Sequence, residues 1–125
     1  MFLVNPKSKQ PLYEQLVEQL RRQLILGGME AGAAMPSVRQ LATELGINPN
    51  TIQKAYRRME EEGMIISVPG RGSFVSDDLA DMLKRQRTEQ LEKTRQMISL
   101  CREMGLPKNT IDEIVETVYK EGDAC

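Results

Sequence analysis

Histidine and tryptophan are both missing from the 125 residues, and three Tyr and two Phe make up the whole 4% aromatic content. Without an imidazole the chain lacks the residue most used for acid-base work near neutral pH and the commonest metal ligand. Histidine-based hydrolytic triads are therefore excluded, and no enzymatic activity is expected. The two cysteines, Cys101 and Cys125, stand outside any CxxC spacing, so no zinc site, no other metal and no cofactor is expected. They read as a half-buried thiol and a loose tail thiol. So few aromatics also exclude a stacking platform for single-stranded nucleic acid. No apolar run approaches the ~18–20 residues of a membrane span, and Met1 to Lys9 lacks the apolar region of a signal peptide. A soluble, cytoplasmic protein with no membrane partner is expected.

What is present is ordinary globular material. Apolar residues are 40% and there are nine glycines, which argues against wholesale disorder and fits one small domain with an appendage. The formal net charge is only −1, whereas a nucleic-acid binder would commonly be basic. The halves differ, however. Residues 1–76 carry 9 Lys+Arg against 7 Asp+Glu, a net of +2, and residues 77–125 carry 8 against 11, a net of −3.

Pro11 suits the opening of a helix, and Tyr13, Leu16, Val17, Leu20 and Leu24 recur at helical spacing up to Gly27-Gly28. Met29 to Met35 reads as a connector. Ser37-Val-Arg-Gln40 is a capping box that opens a short helix with Val38, Leu41, Ala42 and Leu45 inward, stopped by Gly46. Asn48 and Pro49 then suit the cap and first residue of a third helix, with Ile52, Ala55, Tyr56 and Met59 on one face, up to Gly63. Helix, tight turn, helix is the outline of a helix-turn-helix. Met64–Val68 and Ser73–Ser76 are β-prone runs around Pro69-Gly-Arg-Gly72, which reads as a hairpin directly after the third helix, a wing.

From Asp77 a long helix is predicted to run to Gly105, with Leu79, Leu83, Leu91, Ile98 and Cys101 inward and a solvated stretch over 84–90. A last helix starts between Leu106 and Thr110, either at Pro107 or at the capping box Thr110-Ile-Asp-Glu113, and carries the stripe Ile111, Ile114, Val115, Val118 and Tyr119. Two amphipathic helices joined by a short loop cannot close a core on both sides. Either they fold back on the first three helices or, as favoured here, a second copy covers them in a two-fold dimer. The expected fold is thus mainly α with a small β-hairpin: an N-terminal winged helix-turn-helix over 1–76 and a C-terminal two-helix dimerisation hairpin over 77–125. Leu91, Ile98, Cys101, Ile111, Ile114, Val115, Val118 and Tyr119 are its dimerisation candidates.

At about 100° per residue, the face of the third helix opposite its apolar side carries Asn50, Lys54 and Arg57, flanked by Thr51, Gln53 and Arg58. Asn and Gln pair bidentately with adenine, Arg and Lys bond guanine, and a helix N-terminus favours phosphate. Glu60, Glu61 and Glu62 crowd the last turn, so the N-terminal end is expected to enter the groove. From Ser37 to Arg58 there are four basic residues, Arg39, Lys54, Arg57 and Arg58, against Glu44 alone, a local net of +3. Arg71 adds a charge at the wing tip, where Gly70 and Gly72 let the backbone approach a phosphate or minor groove.

Pro-Leu-Tyr-Glu-Gln (11–15), Met-Pro-Ser-Val-Arg-Gln-Leu-Ala (35–42), Leu-Gly-Ile-Asn-Pro-Asn-Thr-Ile-Gln-Lys-Ala-Tyr (45–56) and Glu-Gly-Met-Ile…Gly-Arg-Gly-Ser-Phe-Val (62–75) together resemble the winged helix-turn-helix domain of the GntR transcriptional regulators. The tail of about 50 residues resembles the short YtrA-like branch, whose C-terminal part serves dimerisation, and is too short for the large effector domain of other branches. The resemblance implies that Arg39, Asn50, Thr51, Gln53, Gly70 and Arg71 contact DNA. With the residues read from the sequence, the candidate DNA-contacting set is Ser37, Arg39, Asn48, Asn50, Thr51, Gln53, Lys54, Arg57, Gly70, Arg71 and Gly72. Many relatives have a basic residue where this chain has Pro49-Asn50, so base preference does not transfer.

The expected function is sequence-specific binding of double-stranded DNA by a homodimer on a palindromic operator, with repression as the output. The branch resemblance implies a bacterial source and transporter genes under control. No effector is identified. The alternative is a winged helix used as a protein-docking module, its third helix facing an acidic partner.

Overall fold

The computed structural model describes residues 2–123. In chain order the elements are α1 (Leu12–Ile25), α2 (Val38–Leu45), α3 (Pro49–Glu61), β1 (Ile65–Val68), β2 (Gly72–Val75), α4 (Leu79–Glu103) and α5 (Lys108–Asp123). The chain divides into two compact units, the first ending at Leu83 and the second beginning at Lys84.

The first unit is built on the apolar stripes anticipated from the sequence. Leu16, Leu20 and Leu24 of α1 join Leu41 and Ala42 of α2 and Ile52, Ala55, Tyr56 and Met59 of α3 in one core. Each fully buried Leu or Ile contributes about 1.5–3 kcal/mol relative to exposure. β1 and β2 pair antiparallel, with Ile65 opposite Val75 and Val68 opposite Gly72. Met64, Ile65 and Val75 turn their side chains into the same core.

Three features of this unit were not read from the sequence. The stretch expected as a connector supplies a second extended partner for β2, beside β1. The Gly32 N–H donates to the Val75 carbonyl (2.9 Å), the Val75 N–H to Ala33 (2.8 Å) and the Met35 N–H to Ser73 (2.9 Å). At the N-terminal side, Phe2 is buried and the segment behind it lies along α1, where two glutamines serve as strand mimics. Gln19 Oε1 accepts from the Leu3 N–H (2.7 Å), and Gln19 Nε2 donates back to the Leu3 carbonyl. Gln15 Oε1 accepts from the Asn5 N–H (2.8 Å), while its Nε2 donates to the carbonyls of Asn5 (3.0 Å) and Gln10 (2.9 Å). Gln15 is buried, and those three bonds offset the cost of desolvating its amide. Lastly, Met82 of α4 is a core residue, 1% exposed, between Leu79 and Leu83, which the sequence does place inward and which pack against the same core.

In the second unit α4 is solvated over 84–90 apart from the half-buried Gln86. It ends in a left-handed Gly105 (φ +82°), with the Leu106 N–H donating to the Cys101 carbonyl (3.1 Å). α5 begins at Lys108, inside the expected window between Leu106 and Thr110, with Pro107 just before the helix rather than in its first turn and Thr110 already within that turn. Leu91, Ile98, Ile114, Val115, Val118 and Tyr119 are exposed, Leu91 and Tyr119 by more than 70%. Cys101 and Ile111 are half-buried. Cys125 lies outside the described residues.

Because Met82 sits in a filled core, Met82→Ala should lower unfolding stability by about 2–4 kcal/mol through lost transfer energy plus a residual cavity. Urea denaturation of the two proteins measures it, and a loss below about 1 kcal/mol would place that side chain outside the cooperative core.

Candidate nucleic-acid interface

Both helices of the helix-turn-helix are closed by their own side chains. Ser37 Oγ accepts from the Gln40 N–H (3.0 Å) and Gln40 Oε1 accepts from the Ser37 N–H (3.0 Å), the full capping box. The turn is made by Gly46 at φ +64°, a conformation that costs an L side chain about 1–2 kcal/mol. Asn48 Oδ1 then accepts from the Asn50 N–H (2.8 Å), and Pro49 opens α3. Ser37 and Asn48 thus spend their side-chain oxygens on the helix starts, where the remaining free N–H groups and the helix dipole favour an anion.

α3 is held to the rest of the unit at several points. The Tyr56 hydroxyl donates to the Pro36 carbonyl (2.6 Å), tying the inner face of α3 to the residue before α2. Burial pushes the Tyr56 phenol up to about 12, with the Glu44 carboxylate adding to the shift. Arg21 of α1 reaches Glu62 (2.7 Å), which Arg58 Nε also approaches (3.7 Å). Ser67 Oγ of β1 donates to Glu60 (3.4 Å). Two of the three acids at the end of α3 are therefore fastened to the scaffold, one on each side of the helix.

Those contacts orient the outer face. Gln53 shares the Glu60 side of α3, toward the hairpin. Lys54 and Arg58 share the α1 side, where the Lys54 ammonium lies 4.1 Å from the centroid of the Tyr13 ring. Asn50 and Arg57 occupy the middle. Asn50, Gln53, Lys54 and Arg57 are exposed, and Thr51 is half-buried. Arg39 is exposed in the first turn of α2. At the wing, Val68–Arg71 forms a type II turn. The Arg71 N–H donates to the Val68 carbonyl (2.9 Å), Pro69 is the first central residue and Gly70, at φ +76°, the second. Arg71 stands exposed between Gly70 and Gly72, which are open on the side a Cβ would occupy. The Lys54–Tyr13 stack and the Arg21–Glu62 pair went unread in the sequence because both join α1 to α3 across some forty residues.

Residues 12–75, the whole helix-turn-helix and wing, match the family described as bacterial regulatory proteins, gntR family. The chain belongs to the GntR family. It is a short, YtrA-like GntR regulator, 33% identical over 119 residues to the HTH-type transcriptional repressor YtrA of Bacillus subtilis, covering 94% of this chain and 92% of that protein. A transcriptional regulator from Oenococcus oeni superposes with a TM-score of 0.69 at 28% identity over 95% of this chain and 99% of that one. YtrA from Sulfolobus acidocaldarius, a GntR-family transcription factor, gives 0.61 at 26% identity over 96% and 97%. This GntR chain is a DNA-binding transcriptional regulator and not an enzyme.

The Tyr56 phenol ionises near 10 when unfolded and at about 12 when folded. Its contribution is therefore complete below pH ~10 and is lost as pH climbs from there toward 12. Spectrophotometric titration should show one phenol ionising at the top of that window, absent from Tyr56→Phe, and stability should fall less steeply over the window in the variant.

Proposed function

We propose that this regulator acts as a homodimer that reads a palindromic operator in double-stranded DNA and represses transcription from it. The observation that carries the reading is the unobstructed outer face of α3, where the side chains of Asn50, Gln53 and Arg57 have no intramolecular partner among the described residues and stand exposed. Their amides match adenine and the guanidinium fork matches guanine in the major groove. Arg39, Thr51 and the helix starts at Ser37 and Asn48 flank that face. Gly70, Arg71 and Gly72 address phosphate or the minor groove from the wing. Repression is supported by the likeness to a repressor. The dimer is supported by the uncovered stripe of Ile114, Val115, Val118 and Tyr119, accompanied by Leu91 and Ile98 on α4, with Cys101 and Ile111 at the base of the hairpin. Genes for membrane transporters are the proposed targets, on the strength of the YtrA-like character alone. No helix of the described residues is long and apolar enough to cross a membrane, and the proposed place of action is the cytoplasm.

Selection of duplexes from a random pool by the full chain tests the reading. The enriched sites should contain two inverted half-sites centred about 10 bp apart, and sedimentation should find two chains per duplex. Enrichment of a single asymmetric half-site by one chain would overturn it. On the selected duplex, Arg39→Ala and Gln53→Ala should each weaken binding by about 1–3 kcal/mol without lowering the melting temperature, and unchanged affinity in both would remove them from the interface.

If α5 carries the dimer seam, Ile114→Asp should convert the protein to single chains in sedimentation, because a carboxylate buried without a partner costs several kcal/mol. A variant that still sediments as a dimer would move the seam elsewhere.

A further inference from the structure

The stack of Lys54 on Tyr13 has no place in base reading. The ammonium of Lys54 lies 4.1 Å from the ring centroid, well inside the ~6 Å over which a ring quadrupole attracts a cation. It is thereby drawn to the α1 flank of α3, away from Asn50 and Arg57. Tyr13 is itself braced: its ring packs against the core of the first unit and its hydroxyl donates to Glu14 (3.2 Å). The neighbouring cation on the same flank, Arg58, is turned to Glu62, whereas no carboxylate lies within ion-pair distance of Lys54 among the described residues. The difference is chemical. A carboxylate would neutralise the lysine, but a neutral ring restricts its four-carbon stem and leaves the whole positive charge and its outward N–H groups for another anion.

We propose that Tyr13 is a positioning residue that holds Lys54 against α1 so that its ammonium meets a DNA phosphate beside the recognition helix, supplying affinity and register but no base preference. This rests on the reading of α3 given above. It assigns the tyrosine of the first helix a part in DNA binding through the recognition helix, and it makes Lys54, alone among the basic residues of α3, a backbone contact.

Fluorescence titrations with the full chain test it, using the duplex recovered by selection and a random-sequence duplex of the same length across a salt series. Tyr13→Phe and Lys54→Arg keep the ring and the cation and should bind within about twofold of wild type. Tyr13→Leu and Lys54→Met should each weaken binding about three- to tenfold, by the same factor on both duplexes, and Lys54→Met should reduce the salt slope by about 0.9, one phosphate's share. The double variant should bind no more weakly than Lys54→Met alone. In the free protein, the Lys54 ε-methylene NMR signals should be ring-shifted upfield in wild type and Tyr13→Phe but not in Tyr13→Leu. Should Tyr13→Leu lose its cooperative melt, Tyr13→Met takes its place in every comparison. Wild-type affinity in Tyr13→Leu, effects of the two single variants that multiply, or a loss confined to one base pair of the selected duplex would each overturn the proposal while leaving DNA reading by α3 intact. Failure of wild type to retain any duplex would remove that reading and this role together.

Discussion

Everything the interface presents follows from the burial of one side of α3. Ile52, Ala55 and Met59 are fully buried and Tyr56 nearly so, and at about 100° per residue their position fixes that of every other side chain on the helix. A roll of α3 by one residue would take Met59 out of the core and Arg57 off the centre of the open face. Dispersion and apolar burial alone resist such a roll only in proportion to the shape of the contact. Directional contacts complete the constraint: the Tyr56–Pro36 hydrogen bond on the inner face, the Arg21–Glu62 pair on the α1 side and the Ser67–Glu60 bond on the hairpin side. The ion pair is part-exposed and adds on the order of 1 kcal/mol or less. Its value lies in direction more than in energy.

The same contacts resolve how an acidic chain can serve a polyanion. Charges separated by more than about 8 Å of physiological salt solution are largely screened, so the formal net of −1 says little about the surface that a phosphate meets. Locally the balance is positive, with Arg39, Lys54, Arg57 and Arg71 exposed. Glu62 is neutralised in place by Arg21 and Arg58, and Glu60 is turned toward β1. In the proposed complex the acids mark the end of α3 that stays out of the groove, without discharging the cations at the other end. Tethering Lys54 to a neutral ring rather than to a carboxylate follows the same logic, since it orders a cation and keeps its charge.

Most of this first unit was legible in the sequence, because its signals are local. The Ser37 capping box, the Gly46 stop, the Asn48-Pro49 start and the Pro69-Gly70 turn each lie within four residues of one another, and the structure forms all of them. The apolar period of α3 assigns the buried side chains correctly. What escaped is what depends on distant pairing. The bonds of residues 32–35 to β2 have no signature in a stretch of small residues, since any backbone can extend and its register is set by the partner. Gln15 and Gln19 as backbone mimics look like the polar face of an ordinary helix. Met82 had a signal, the i, i+3, i+4 set with Leu79 and Leu83, masked by the charge-rich stretch that follows.

The second unit poses the opposite problem, since its helices are regular and its apolar side chains are uncovered. An isolated helix of the length of α5 is marginal in water, and its stripe of Ile114, Val115, Val118 and Tyr119 gains little from burial within one chain. The i, i+4 pair of Lys108 with Asp112 (2.8 Å) adds only about 0.3–0.5 kcal/mol. Order in α5 therefore calls for apolar cover, and in the proposed dimer the matching stripe of a second copy provides it on both sides at once. The consequence reaches the DNA. One helix and one wing make few base contacts, and a single module of this size covers a small interface. When two are joined, binding of the second half-site becomes intramolecular, at an effective concentration in the millimolar range for a short linkage. Affinity for the operator then depends on the same apolar side chains that order α5, so folding of the tail and occupancy of a palindromic site rise and fall together.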